Sequence, residues 1–251
     1  VHNMNVESIK KIHLNNENLN KFQNAQNSNY KNKLFRPSTL IMHDELFYEF
    51  QGYMYILNRI LNINEIENTL EIGCGPGFLT PCLSLVSKKV YSFDISEEGI
   101  KHAKLYSKNC RNVEHFIEDG ILSDKIRDLN IEFDFIFCRE FHPFTRQIYT
   151  SFESSQILHQ KILDSYLLKL RKNGIMMIIH RIVKGGSYPF QPLLNDNYEL
   201  LLRHLDIRIV RRIVPFFRLK PNIIVNLSKT MNLFKRNNDY GYQTWIIQRK
   251  Y

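Results

Sequence analysis

The sequence predicts an α/β fold: a doubly wound, mostly parallel seven-stranded sheet preceded by an N-terminal helical arm. Three observations lead there. Short β-type runs alternate with helical patterns through the middle of the chain, which implies a parallel sheet covered on both faces. A triple-glycine turn joins the first of these runs to the first helical pattern. The chain has 251 residues, 43% of them hydrophobic and 24% charged, so it can bury one good-sized core.

The elements follow in order. Residues 1 to about 34 carry ten asparagines and few large apolar side chains, so this arm is expected to fold only against the rest. Between Ser38 and Leu61 the positions Leu46, Phe47, Phe50, Met54, Leu57 and Leu61 recur every three or four residues, the stripe of a lid helix. The strand candidates are 69–73, 89–94, 113–117, 133–138 and 174–180, with helices expected at 77–87, 96–108 and 153–172. Asn173-Gly174, with Arg171 and Lys172 before it, reads as a helix stop. The tail adds a helix near 197–205 and strands at 207–214 and 242–248. The stretch 215–240 is too long for a hairpin turn and reads as an inserted element. The expected division is therefore an arm with its lid helix over 1–62 and one α/β domain over 63–251.

Composition excludes several classes. No apolar run approaches the roughly 20 residues of a bilayer-spanning helix. The segment VHNMNVESIKKIHLNNEN lacks the apolar centre of a signal peptide. Cys74, Cys82, Cys110 and Cys138 form no CxxC pair and no metal-ligand spacing, which suits a reducing compartment, and the cytosol is the expected location. The formal charge is +9, and residues 203–251 hold eleven bases against two acids while the remainder balances. Such a segment attracts anions, whether phosphorylated small molecules, nucleic acid or an acidic lipid surface; an arginine-rich strand also deters edge pairing.

The strongest motif is TLEIGCGPGFLT, residues 69–80. Glycines at 73, 75 and 77 let the backbone turn tightly and admit a ligand where a Cβ would intrude. The nicotinamide or flavin fingerprint requires Gly or Ala at position 78, which is Phe78, and does not ask for Glu71.

The run Glu71, Gly73, Gly75, Gly77 resembles motif I of the class I S-adenosylmethionine-dependent methyltransferases, E-x-G-x-G-x-G. The resemblance covers roughly residues 67–181. The second strand ends FDIS, with Asp94 seventeen residues after Gly77, followed by Ile95. In that family the acid here binds both ribose hydroxyls. Asp119 and Gly120, after the third strand, stand where the family contacts the adenine amino group. FDFIFCREF resembles the fourth strand and the segment leaving it, with Cys138 and Arg139 beside the cofactor. LLKLRKNGIMMII resembles the helix-turn-strand run that follows. The resemblance implies the Rossmann-like methyltransferase fold, S-adenosyl-L-methionine as cofactor with S-adenosyl-L-homocysteine as product, and transferase activity; the sequence lacks the spaced acid cluster, including an Asp-Asn pair, by which catechol-type enzymes hold a divalent metal, so no metal is expected.

It also sets CREFHPFTR beside the transferable methyl. Within it Glu140 and His142 are the candidate bases, needed only if the acceptor is a hydroxyl or protonated amine. Arg139 and Arg146 could hold an anionic acceptor through forked hydrogen bonds. His180 and Arg181, at the end of the fifth strand, are a second base and a second anion contact. Each has a plainer reading: His142-Pro143 can be a turn, Glu140 a backbone partner, His43-Asp44 a helix cap and Cys138 a core residue. The aromatic cluster Phe141, Phe144, Tyr149 and Phe152 suits either an acceptor wall or core. REFHPF replaces the Asp/Asn-Pro-Pro-Tyr/Phe motif of enzymes that methylate exocyclic base amines, which argues against such a target. The expected reaction is O-methylation of a small polar or anionic acceptor, for example a sugar or nucleotide-linked sugar. RNA methylation through the basic tail is the alternative, and cofactor binding without catalysis a third.

Overall fold

The computed structural model describes residues 65–120, 124–141, 162–183, 207–213 and 240–249, with isolated helical positions at 24 and 28. Apart from those two positions, the arm and lid helix over 1–62 lie outside the described residues, as do the helix near 197–205, the insert before Tyr240, and His142 and Arg146.

Seven strands form one sheet: β1 Ile66–Ile72, β2 Ser87–Asp94, β3 Val113–Ile117, β4 Phe133–Arg139, β5 Leu170–Val183, β6 Ile207–Ile213 and β7 Tyr240–Arg249. Their spatial order is β3-β2-β1-β4-β5-β7-β6. The first five pair in parallel, whereas β7 runs antiparallel to both β5 and β6. All seven strand expectations lie on observed strands. The order reverses between β1 and β4, and the crevice outside the carboxyl ends of strands at such a reversal is where open α/β sheets bind ligands.

The described helices are α1 Thr80–Val86, α2 Glu97–Tyr106, α3 Asp124–Asp128 and α4 over 162–169. The sheet separates two apolar clusters. On one side Leu70, Ile72, Phe93, Ile136, Met176 and Ile178 pack with Ile126 of α3 and Ile162, Leu163, Tyr166 and Leu167 of α4. On the other, Val90, Phe135, Phe137, Ile175, Met177 and Ile179 pack with Cys82 and Leu83 of α1. Residues 133–138 are buried throughout, as a central parallel strand covered on both faces must be. Burying each phenylalanine of that run contributes about 1.5–3 kcal/mol. Its one acid, Asp134, accepts from the Asn68 amide at 2.8 Å and pairs with Arg171, so the buried charge is compensated.

Three boundaries differ from expectation. α1 starts at Thr80, three residues late, because Gly77 holds φ +78 and keeps the turn open as far as Leu79. α3 carries no helix signal strong enough to be anticipated in its five residues. The helix expected over 153–172 ends at 169: Leu170 already pairs with Phe133, and the next matched pair is Ile175 with Phe135. Asn173, at φ +64, thus turns the chain in an irregularity of β5 rather than stopping a helix. The helix end is capped across the sheet, where Arg249 Nη1 donates to the carbonyls of Leu168, at 3.3 Å, and Leu170.

α2 is defined by its cap. Ser96 Oγ accepts from the Gly99 amide at 3.0 Å, and Glu97 and Glu98 occupy the first turn, where acids complement the helix dipole. The helix then lies directly on the glycine loop. A Cβ at Gly77 would sit 2.6 Å from the Cα and Cβ of Ala103. Gly77→Ala therefore meets both a left-handed backbone and a backbone clash, and is expected to cost about 2 kcal/mol or more in chemical denaturation, with α2 displaced from the loop.

Candidate active site

The loop between β1 and α1 combines left-handed glycines with backbone bonds to its surroundings. Gly73, Gly75 and Gly77 all have positive φ, at 69, 54 and 78°. The Cys74 amide donates to the Phe93 carbonyl at 2.9 Å, and the Gly77 amide to the Cys74 carbonyl at 3.0 Å. The first bond fastens the turn to β2, and the second folds it on itself.

Asp94 closes this arrangement. Its Oδ2 accepts from the Gly75 amide and its Oδ1 from the Ser96 amide, each at 2.8 Å. The carboxylate is half-buried, and each oxygen has a further lone pair. Burial raises its pKa, while the backbone amides of Ser96, Gly75 and Ile95 pull it back. A carboxylate at a strand's carboxyl end with spare acceptor capacity suits vicinal hydroxyls.

Glu71 lies deeper. It is buried, and its Oε2 accepts from Thr80 Oγ1 and Ser92 Oγ, both at 2.7 Å. Burial pushes its pKa up to about 7, against the two hydroxyls and with a smaller push from the Asp94 charge. Cys74, in the loop itself, is held well above the usual thiol range by burial and then by the charges of Glu71 and Asp94, so it stays protonated and is no thiolate nucleophile.

The far side of the site is built from the ends of β3 and β4. Gly120 allows a close approach: a Cβ there would meet the rings of Phe141 and Phe93 at 2.7 Å. The Phe141 ring also lies against Gly73, so this one side chain joins the glycine loop to the Asp119-Gly120 turn. Tyr166 of α4 donates to the Gly120 carbonyl at 2.5 Å and its ring stacks on Phe93, centroids 6.5 Å apart. Burial keeps that phenol protonated.

At the end of β4, Cys138 is fully buried among core side chains, so only its backbone reaches the strand's carboxyl end. Arg139 and Glu140 follow it out of the sheet, both half-buried. Glu140 adopts φ +55, a left-handed conformation uncommon for a residue with a side chain. Its amide donates to the Ile179 carbonyl at 2.7 Å, which ties the segment to β5. Among the described residues its buried Oε1 has no hydrogen-bond partner. Strain and an orphaned acceptor at one residue are features that cluster where a ligand is handled. His180 and Arg181 continue β5, their backbones paired with Gln243 and Tyr242 of β7.

The structure thus gathers Glu71, Gly73, Gly75, Gly77, Asp94, Ile95, Asp119, Gly120, Arg139 and Glu140 around the carboxyl ends of β1 to β4. Glu71 and Cys138 are set below that surface. Thr80, Ser92 and Tyr166 are the parts sequence reasoning missed. Ser92 alone left a trace, standing two residues before Asp94 and so on the same strand face.

Residues 69–155 match the family described as "Methyltransferase domain". The ribosomal RNA small subunit methyltransferase A of Mycoplasmopsis synoviae (strain 53) is 36% identical over 78 residues, 29% of this chain and 30% of that protein's length. The N-methyltransferase NodS from Bradyrhizobium japonicum WM9, solved with S-adenosyl-L-homocysteine, superposes with a TM-score of 0.61 at 13% identity, over 89% of this chain and 98% of NodS. An S-adenosylmethionine-dependent methyltransferase from Clostridium acetobutylicum ATCC 824 superposes at 0.57 and 13% identity, over 85% and 98%. Taken with the motif-bearing loop, the reversal of strand order and the acids that follow β2 and β3, these likenesses show a methyltransferase domain over residues 69–155 and the fold shared by S-adenosylmethionine-dependent methyltransferases.

Proposed function

We propose that this chain binds S-adenosylmethionine at the glycine loop and transfers its methyl to a hydroxyl of a small polar or anionic acceptor, such as a sugar or nucleotide-linked sugar. The residues present fit the cofactor. The turn at 73–77 leaves backbone exposed to a ligand, and the Asp94 carboxylate, with up to four acceptor sites, keeps capacity beyond its backbone amides. Asp94 with Ile95 would hold the ribose, Asp119 and Gly120 the adenine, and the loop with the backbone of Cys138 and Arg139 the methionine end. When bound, the sulfonium supplies a methyl group that already carries its driving force.

The protein's part is to align, to exclude water and to take one proton from the acceptor hydroxyl as its oxygen–carbon bond forms and the carbon–sulfur bond breaks, with S-adenosylhomocysteine leaving. The observation that carries this reading is the orphaned Oε1 of Glu140, a buried acceptor beside the crevice with no donor among the described residues. A carboxylate in that state favours a substrate hydroxyl and can receive its proton. His142 and His180 are the other candidate bases, and Arg139, Arg146 and Arg181 the candidates for holding an acceptor's phosphate or carboxylate. The reaction we propose is cytosolic; among the described residues no helix is long and apolar enough to cross a membrane.

RNA methylation is the second reading. It is favoured by the ribosomal RNA methyltransferase among the relatives and by Arg208, Arg211 and Arg212 on β6, the last strand in the sheet order. Salt separates the two: affinity for RNA falls steeply and log-linearly with salt as counterions are released, whereas a small anion shows a shallow slope.

A screen of phosphorylated sugars, nucleotide sugars and total RNA with isotopically labelled methyl donor tests the assignment directly. Asp94→Ala is expected to weaken S-adenosylhomocysteine binding in calorimetry by about 1.5–3 kcal/mol, the cost of a lost charged hydrogen bond; unchanged affinity removes Asp94 from the site. Glu140→Gln is expected to lower turnover about 100-fold or more while sparing cofactor affinity. Full activity in that variant, with loss in His142→Gln instead, transfers the base role to His142. Charge reversal at Arg211 and Arg212 is expected to raise the acceptor KM, and an unchanged KM reduces the tail to a solvated face.

A further inference from the structure

Glu71 reaches two partners through one oxygen. Oε2 accepts from Thr80 Oγ1 and from Ser92 Oγ, each at 2.7 Å. Thr80 and Ser92 are fully enclosed and Glu71 is 3% exposed, so water does not compete for these bonds. Glu71 and Thr80 stand at the two stems of the glycine loop, one near the end of β1 and the other at the first residue of α1. Ser92 lies on β2 two residues before Asp94, which in turn accepts from the Gly75 amide at the loop's crest. Beside the backbone bond from Cys74 to Phe93, the loop is therefore held to β2 by its stems through Glu71 and by its crest through Asp94.

We propose that Glu71 is a positioning residue, which acts through Thr80 and Ser92 to hold the glycine loop and Asp94 in the geometry that binds the cofactor, without itself touching that cofactor. The proposal rests on the cofactor reading above. An ionised carboxylate makes hydrogen bonds about twice as strong as a neutral acceptor does. The groups facing Glu71 are Asp94 from β2, Cys74 from the loop and Cys82 from α1. Burial, then the Glu71 charge, pushes the Cys82 thiol up to about 11 and holds Cys74 higher than an ordinary thiol, so both stay protonated near neutrality and Asp94 is the charge among them. With Glu71 titrating at about 7, the latch is ionised at higher pH and weakens as pH falls. A cationic ligand also favours the ionised form, so the two effects have one sign: affinity rises with pH through neutrality.

The test is calorimetric titration of the full chain with S-adenosylmethionine from pH 5.5 to 7.5, comparing the unsubstituted protein with Glu71→Gln, Thr80→Val and Ser92→Ala. The unsubstituted protein is expected to gain about tenfold in affinity over that range relative to Glu71→Gln, which removes the ligand's own titration from the comparison. Thr80→Val and Ser92→Ala are expected to bind about tenfold more weakly at pH 7.5, the loss of one hydrogen bond to a charged group. Direct contact predicts instead that both hydroxyl variants bind normally while Glu71→Gln alone loses affinity at every pH, and that result overturns the proposal. So does pH-independent binding by the unsubstituted protein, a measurement that requires no variant to fold. Failure of the unsubstituted protein to bind at any pH overturns the cofactor reading, and the latch with it.

Discussion

The hydrogen bond from the Gly75 amide to Asp94 is the contact on which the site depends. It joins the crest of a loop with little side-chain packing of its own to the end of a central strand that is fixed by the core. Three consecutive odd positions in the left-handed region leave the loop few intrinsic preferences. Its shape is therefore imposed from outside, by Asp94, by the Phe93 carbonyl and by the close approach of Ala103. Asp94 thus fastens both the crest of the loop, through Gly75, and the start of α2, through Ser96.

The sheet makes such a loop tolerable. β4 is buried on both faces, and the paired clusters around it leave β1, β2 and β4 without freedom to shift. Their carboxyl ends are then a rigid rim, on which the strained Glu140 can persist because its amide is tied to Ile179 and the neighbouring Phe141 ring is wedged between Gly73 and Gly120. The rim is also held by α4, through the Tyr166 hydroxyl on the Gly120 carbonyl.

Electrostatically the site is acidic at its base. Glu71 and Asp94 share a small volume, and burial raises both above ordinary carboxylates. The unfavourable proximity is offset by neutral donors, two hydroxyls for one and backbone amides for the other, rather than by a basic side chain. Among the described residues no basic side chain neutralises this pair, a bias that suits a cation such as a sulfonium.

The sequence by itself determined the sheet, the loop and the acids that follow the strands. These signals are local: alternation sets strands, glycine triplets set a turn, and an acid at a strand end needs no distant partner to be recognised. Only the tertiary structure decided that Glu71 serves Thr80 and Ser92, that Asn173 bends β5 rather than ending α4, and that Phe141 bridges two turns. Each of these depends on which atoms approach from elements far away in the chain. Leu170 illustrates the rule: its helical context is strong, yet pairing with Phe133 in a buried sheet outweighs propensity.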